Sequence, residues 1–292
     1  MKKKILIIVL FLIGVILCVS AAYLYVKIPD LTMPKYVASE YHLEKKKYQE
    51  RNIYVLSTKN KPIDRVILYI HGGAYATNLD SNYWDFLSDL AKDTDSTIII
   101  PDYPLAPEYD SKDVFDFMIP FYEEVLERVG KEKLIVMGDS AGGGLSLALC
   151  QYEGEKGNIQ PSKLILISPW LDLTMKNEAI DIVQPYDPKL KKDILKLAAK
   201  VYVRDGNMND YLVSPINGPV EHLENVTIFS GSYDILNPDA KLFTKIAETK
   251  GIHIDYRESS KSTHIWILFH RDPETYHARE SYQELVGLVR EK

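Results

Sequence analysis

Short apolar runs rich in Ile, Leu and Val recur along the chain, and longer stretches with apolar residues at helical spacing lie between them. Unbroken runs of this kind are typical of strands that are covered on both faces. The pattern predicts strands near residues 53–56, 65–70, 97–100, 134–137, 164–167, 226–230 and 253–257. Because strands and helices alternate, it indicates an α/β fold with a mostly parallel sheet and right-handed crossovers.

The segment between Trp170 and Val226 breaks this alternation, because it contains no clear strand. Asp187 and Pro188 predict the start of a helix within it. The apolar positions that follow at helical spacing, with lysines between them, are Leu190, Ile194, Leu197, Ala198 and Val201. The segment is either a surface helix that packs through this stripe or an inserted cap over a functional site, and we favour the cap.

The N-terminus has a different pattern, with three lysines at positions 2–4 followed by an uncharged apolar stretch over residues 5–26. As a helix rising about 1.5 Å per residue, this stretch would span a hydrocarbon core of about 30 Å. The lysines predict that the N-terminus stays inside. We therefore expect a single-pass anchor over residues 1–26, located in the cell membrane, and one extracytoplasmic domain over residues 27–292. A cleaved secretory signal, which would give a secreted protein, and a buried core helix are the alternatives.

Composition and charge exclude several classes of function. The chain has 46% hydrophobic and 26% charged residues, as expected for a globular protein. Its net charge of -6 and the absence of a basic stripe argue against a nucleic-acid partner, and the lysine run at residues 45–47 is expected on a solvated face. Cys18 and Cys150 show no metal-ligand spacing, so neither a disulfide framework nor a metal site is expected.

One apolar strand runs directly into Gly138-Asp139-Ser140-Ala141-Gly142, and a Leu/Ala-rich helix follows. In such a G-x-S-x-G turn the serine oxygen is held clear of the sheet, and the glycines let strand and helix approach closely. Ser140 is therefore the predicted nucleophile. A serine needs a base and an orienting acid, which in this chain order come later.

The predicted acid is Asp234, just past the strand at 226–230, and the predicted base is His264, in the loop after the last strand. Both positions lie where loop side chains can reach the carboxyl edge of the sheet. Asp239 is the alternative acid, and His253 and His270 are the alternative bases.

Gly72 and Gly73 directly follow the strand at 65–70 and interrupt its apolar run. A serine that attacks a carbonyl creates a negative oxygen, which needs hydrogen-bond donors already aimed at it. Backbone N–H groups on bare glycines can supply them, so Gly72, Gly73 and Ala141 are the predicted oxyanion hole. His71 is interpreted as a structural residue of this loop.

These features together resemble the bacterial hormone-sensitive-lipase-like esterases of the α/β-hydrolase superfamily. The resemblance rests on HGGAY at 71–75, DYPLAPE at 102–108, GDSAGG at 138–143, SPWLDL at 168–173, Asp234 and His264. It implies Ser140, Asp234 and His264 as a catalytic triad and Gly72, Gly73 and Ala141 as the oxyanion hole. It also implies an eight-stranded, mostly parallel sheet flanked by helices, with a helical cap from about residues 27–50 and 172–215.

The resemblance implies a serine carboxylesterase that hydrolyses short-chain acyl esters through an acyl-enzyme and needs no cofactor. Two departures from the family pattern stand near the site: Ala74 replaces a third glycine, and Asp234-Ile235-Leu236 replaces Asp-Pro-Leu. Amide or peptide cleavage by the same triad and a non-catalytic binding module are the alternatives. The expected partners are a small-molecule ester and the membrane, through the N-terminal helix, and a homodimer is left open.

Overall fold

The computed structural model describes residues 34–58 and 64–291. Within these residues eight strands form one sheet, in the order β1-β2-β4-β3-β5-β6-β7-β8. Their bounds are His42–Tyr48 (β1), Arg51–Ser57 (β2), Val66–Ile70 (β3), Thr97–Pro101 (β4), Leu134–Asp139 (β5), Lys163–Ile167 (β6), Val226–Gly231 (β7) and Ile254–Ser259 (β8). Strands β3 to β8 pair in parallel, whereas β2 pairs antiparallel with both β1 and β4. The predicted mostly parallel α/β sheet is confirmed.

Helices flank this sheet. Their bounds are Lys35–Glu40 (α1), Ser81–Thr94 (α2), Ser111–Val129 (α3), Ser140–Glu155 (α4), Ala179–Val183 (α5), Lys192–Val203 (α6), Asn237–Thr249 (α7) and Ala278–Arg290 (α8). Acidic caps fix the starts of α2 and α3, because the Asp80 and Asp110 side chains accept hydrogen bonds from first-turn N–H groups. Strands β3, β5 and β7 are buried along their whole length, so the carboxyl ends of buried strands form the edge where the candidate site lies.

Strand β1 was not predicted from the sequence, because its residues His-Leu-Glu-Lys-Lys-Lys-Tyr lack an apolar run. It lies at the edge of the sheet, where the three lysines are exposed. Charged side chains on an edge strand discourage pairing with other chains. Residues 42–48, which the resemblance assigned to the cap, therefore belong to the sheet.

The prediction of a single-pass membrane protein with an extracytoplasmic domain is contradicted. In the described ranges 34–58 and 64–291, no helix is both long enough and apolar enough to span a bilayer. The helix α3 has 19 residues, but it carries charged side chains in its first and last turns and buries only one face. The apolar stretch at residues 5–26, on which the prediction rested, lies outside the described residues.

The insertion at residues 172–215 contains α5, α6 and short 3-10 turns. Helix α6 begins at Lys192, later than predicted, because the Asp187 carboxylate accepts the N–H groups of the next turn instead of capping a helix. Its buried residues are Leu195, Ala199, Tyr202 and Val203. Of the predicted stripe, Leu190 and Ala198 pack against the core, whereas the other three residues face outward, with exposed fractions of 64% at Ile194, 59% at Leu197 and 37% at Val201. A helix with apolar residues on two faces leaves its buried face ambiguous in the sequence.

Candidate active site

The turn between β5 and α4 holds Ser140 in a left-handed conformation, with φ of +51°. This is the sharp strand-to-helix turn that presents a serine oxygen above a sheet. A Cβ on Gly142 would lie 2.1 Å from the Ile70 carbonyl oxygen, and one on Gly138 would lie 2.5 Å from the Gly142 carbonyl oxygen. Only glycine fits at both positions, so the backbone itself fixes the place of Ser140.

Three of the predicted residues meet at this turn. His264 Nε2 lies 2.9 Å from Ser140 Oγ, and His264 Nδ1 lies 2.9 Å from Asp234 Oδ2. Because an ionised carboxylate only accepts, Nδ1 carries the hydrogen and Nε2 is left to accept from the hydroxyl. The second oxygen, Asp234 Oδ1, accepts the Leu236 N–H at 2.9 Å. Asp234 is fully buried, and Ser140 and His264 are 7% and 5% exposed.

The alternative acids and bases have other partners in the described structure. Asp239 lies on α7 and accepts from Asn177 Nδ2 at 2.8 Å, and burial raises its pKa to about 6. His270 Nε2 lies 2.8 Å from Asp89 Oδ2, a carboxylate that also pairs with Arg271. His253 directly precedes β8.

The loop that follows β3 corrects one of the predicted oxyanion donors. The Gly72 N–H donates to Asp139 Oδ1 at 3.0 Å. Since an N–H group carries one hydrogen, Gly72 is committed to that carboxylate and does not point a donor at Ser140. Within the described residues, the N–H groups of Gly73, Ala74 and Ala141 have no such acceptor.

The backbone of the loop after β3 is left-handed at three consecutive residues. Gly73, Ala74 and Tyr75 have φ values of +104°, +51° and +59°. The Gly73 carbonyl oxygen accepts the N–H groups of Ala76 and Thr77, each at 2.9 Å, which closes the turn. A Cβ on Gly73 would lie 2.1 Å from Thr77 Oγ1, so glycine is required there.

Asp139, the residue before Ser140, anchors this loop, and sequence reasoning missed its role. Its carboxylate accepts from Tyr69 Oη at 2.8 Å, from Tyr83 Oη at 2.7 Å and from the Gly72 N–H. Burial nevertheless raises the pKa of Asp139 to about 6. The available signal was an acidic side chain at the end of an otherwise apolar strand, which had to find donors to be buried.

His71 and the DYPLAPE segment also support the loop. His71 Nδ1 donates to the Gly72 carbonyl oxygen at 2.7 Å, and burial lowers its pKa to about 4, so the ring is neutral near pH 7. Its ring stacks on Tyr103, whose hydroxyl donates to the His71 carbonyl oxygen at 2.8 Å. The Ala106 N–H donates to the Tyr75 carbonyl oxygen at 2.8 Å. These contacts agree with the structural interpretation of His71.

The insertion contacts the same loop. The rings of Tyr75 and Tyr202, on α6, stack 3.8 Å apart with an interplanar angle of 2°, and both side chains are buried. The described part of the chain contains no group of three or more His, Cys, Asp and Glu side chains that could hold a metal ion. The contacts of Asp234 with His264 and of His264 with Ser140 form an arrangement that can carry out nucleophilic attack.

A serine on a strand-to-helix turn, with an acid and a histidine from later loops at the same sheet edge, defines the α/β-hydrolase class. The sequence model described as alpha/beta hydrolase fold matches residues 67–268, which is more than half of the chain. The protein belongs to this family.

Individual relatives support the hormone-sensitive-lipase-like branch. An esterase of Acinetobacter venetianus is 33% identical over 195 residues, covering 66% of this chain and 64% of the relative. A triacylglycerol lipase of Mycobacterium tuberculosis is 31% identical over 212 residues, covering 72% of this chain and 44% of the relative. The crystal structure of a hormone-sensitive lipase from a metagenome library aligns with a TM-score of 0.80 at 25% identity, covering 88% of this chain and 87% of that one. The chain thus spans less than two thirds of the length of these two sequence relatives.

Proposed function

We propose that the protein is a serine carboxylesterase that hydrolyses small acyl esters. One observation carries the proposal: hydrogen bonds of 2.9 Å join Asp234 to His264 and His264 to Ser140. Nucleophile, base and orienting acid in such contact are the parts that acyl transfer requires. The relatives named esterase and triacylglycerol lipase support the same class of reaction.

In the proposed reaction, Ser140 Oγ attacks the ester carbonyl carbon while His264 Nε2 takes the hydroxyl proton. Asp234 holds the other side of the ring and stabilises the imidazolium that forms. When the tetrahedral intermediate collapses, the alcohol leaves with the proton from Nε2, and the acyl group stays on Ser140. Water then attacks the acyl-enzyme with the same base, which releases the carboxylic acid and restores Ser140.

The negative oxygen of the intermediate is bound by the N–H groups of Gly73, Ala74 and Ala141 in this proposal. Ala141 follows Ser140 in the chain, and Gly73 and Ala74 lie on the loop after β3. Among the described hydrogen bonds, none has one of these three N–H groups as its donor. Gly72 takes a different part, since its bond to Asp139 sets the position of the loop. One donor of this kind contributes a factor of about 10² to 10³ in rate.

We further propose a preference for short acyl chains. The backbone N–H of Trp170 donates to the Ser140 carbonyl oxygen at 2.8 Å, and the Trp170 ring lies 6.0 Å from that of Tyr75. The Trp170 and Tyr75 side chains are fully buried, and Ser140 is only 7% exposed. We expect so enclosed a serine to accept a small acyl group more readily than a long one.

The test is a series of p-nitrophenyl esters from acetate to palmitate, with p-nitroanilides of the same acids, assayed with wild type and Ser140→Ala. The expected result is the highest kcat/KM at acetate or butyrate, slower anilide cleavage and no turnover by the variant. Turnover that survives Ser140→Ala would contradict the proposed nucleophile. A maximum at palmitate would overturn the short-chain preference, and faster anilide cleavage would make the protein an amidase.

A further inference from the structure

A three-residue segment of the insertion contacts both loops that carry the proposed acid and base. Asp187 Oδ2 accepts the N–H of Ile235, the residue next to Asp234, at 2.9 Å. Lys189 Nζ donates to the carbonyl oxygen of His264 at 3.1 Å. Two charged side chains, two positions apart in the sequence, therefore hold the backbones of two loops that are 30 residues apart.

Asp187 is itself held rigidly. Its second oxygen, Oδ1, accepts the N–H groups of Lys189 at 2.8 Å and of Leu190 at 2.9 Å. Asp187 is 2% exposed, so a carboxylate is buried here with backbone donors on both oxygens. Hydrogen bonds to a charged acceptor are stronger than those between neutral groups, and removing one side of such a buried contact is costly.

Lys189 is fixed at its ammonium end. Besides the bond to His264, the ammonium nitrogen lies 3.8 Å from the centre of the Phe269 ring, which follows His264 in the 3-10 helix Trp266–Phe269. A cation over an aromatic face is attracted by the negative face of the ring. Lys189 thus contacts the segment that follows β8 at two points, the His264 carbonyl oxygen and the Phe269 ring.

The loop that carries His264 has a strained backbone, which contacts with other segments must hold in place. Ile265, directly after His264, has a φ of +47°, which is a strained conformation for a β-branched residue. Such strain persists only where surrounding contacts enforce it. The Ile265 N–H donates to Ser168 Oγ at 3.1 Å, and Lys189 adds a further contact on the His264 carbonyl oxygen.

We propose that Asp187 and Lys189 are positioning residues that hold the Asp234 and His264 loops in register with Ser140. The inference rests on the proposed function and adds to it that the insertion sets the geometry of the acid and base. A misplacement of about 1 Å at a reacting group can lower a rate about 10²-fold. Loss of either contact is therefore expected to lower kcat while substrate binding is kept.

The test uses Asp187→Asn and Lys189→Met in the full chain. The amide keeps the shape of the carboxylate but cannot accept on both sides, and methionine keeps the stem of lysine without its donors. Matched controls are Asp193→Asn and Lys200→Met, exposed residues of α6 with the same changes of charge. The measurement is kcat and KM on p-nitrophenyl butyrate per active site, titrated with a fluorophosphonate, together with the melting temperature.

The expected result is a fall in kcat of about 10-fold to 10²-fold in both variants, with KM within about twofold and both controls at wild-type rate. Lys189→Arg, which can still donate to the same carbonyl, should regain most of the activity. If kcat per titrated site stays at the wild-type value in Lys189→Met, the inference is overturned. It is also overturned if Asp187→Asn lowers only the melting temperature.

These results remain separable from a failure of the proposed function. An inactive wild type, or activity that survives Ser140→Ala, would reject the esterase proposal itself. An active wild type with an inactive Ser140→Ala and normal positioning variants would reject only the role of Asp187 and Lys189.

Discussion

The turn that holds Ser140 and the loops that hold Asp234 and His264 are built in opposite ways. Backbone packing fixes the first, since Gly138 and Gly142 leave no space for a Cβ. Hydrogen bonds from distant side chains fix the second, and Asp187, Lys189 and Ser168 supply them. The position of Ser140, the proposed nucleophile, is therefore set by steric contact, which fails abruptly. The positions of the proposed acid and base are set by polar contacts, which can be weakened step by step.

The largest effect is expected at Asp234, in the contact that links the loops of Asp234 and His264 to the turn of Ser140. Asp234→Asn should lower kcat by about 10⁴, because an amide on the His264 Nδ1 side favours the wrong tautomer and no longer stabilises the imidazolium. Asp239→Asn is the matched control, since Asp239, on α7, accepts a hydrogen bond from Asn177 in the insertion. A wild-type rate in Asp234→Asn, or a large loss in Asp239→Asn, would show that the acid has been assigned wrongly.

Gly142→Ala tests the steric region. A Cβ 2.1 Å from the Ile70 carbonyl oxygen forces backbone to move, so the free energy of unfolding should fall by about 1 to 3 kcal/mol. Displacement of Ser140 should also lower kcat about 10²-fold. Gly287→Ala, in α8 with no atom near the new Cβ, should instead raise the free energy of unfolding by about 0.5 to 1 kcal/mol. Urea unfolding and ester assays of both variants measure the contrast, and a tolerated Gly142→Ala would disprove it.

Asp139, the residue before Ser140, should make the free energy of unfolding depend on pH. Its pKa is raised from 3.8 to about 6 in the folded protein, so its contribution to stability is full below pH 3.8 and is lost as the pH rises through about 6. The difference in unfolding free energy between wild type and Asp139→Asn should therefore shrink by about 3 kcal/mol across that window. Urea titrations at the two ends of the window measure it. A difference that grows with pH would mean that the carboxyl pKa is lowered instead.

The smallest effect is expected at Tyr202, whose ring joins the insertion to Tyr75 in the loop after β3. Its buried hydroxyl has no hydrogen-bond partner in the described structure, so Tyr202→Phe should raise the free energy of unfolding by up to about 1 kcal/mol and leave kcat unchanged. Tyr202→Leu, which removes the stack on Tyr75, should lower the free energy of unfolding. Thermal unfolding separates the two variants, and a destabilised Tyr202→Phe would indicate a hidden partner for the hydroxyl.

The same contrast explains what the sequence could predict. The Ile/Leu/Val runs marked every buried strand, and the G-x-S-x-G turn marked Ser140, because both are local patterns with one physical meaning. Strand β1 was missed because a charged edge strand has no apolar run. The residues proposed as acid and base were named from their positions after β7 and β8, and the structure brings both to Ser140.

Long-range contacts account for the rest. Gly72 was taken as an oxyanion donor because the sequence cannot show that its N–H meets Asp139, 67 positions away. Ile194, Leu197 and Val201 were taken as part of a packing stripe because α6 has apolar residues on two faces. Asp187 was taken as a helix cap, whereas its carboxylate reaches across to Ile235.

The central claim is that Ser140 is the nucleophile and that His264 activates it. The most direct measurement is mass spectrometry of the protein after reaction with a fluorophosphonate, with the adduct located by peptide mapping. The prediction is one adduct per chain, on Ser140, formed at least about 10²-fold more slowly in His264→Ala. An adduct on another residue, or an unchanged rate in His264→Ala, would contradict it.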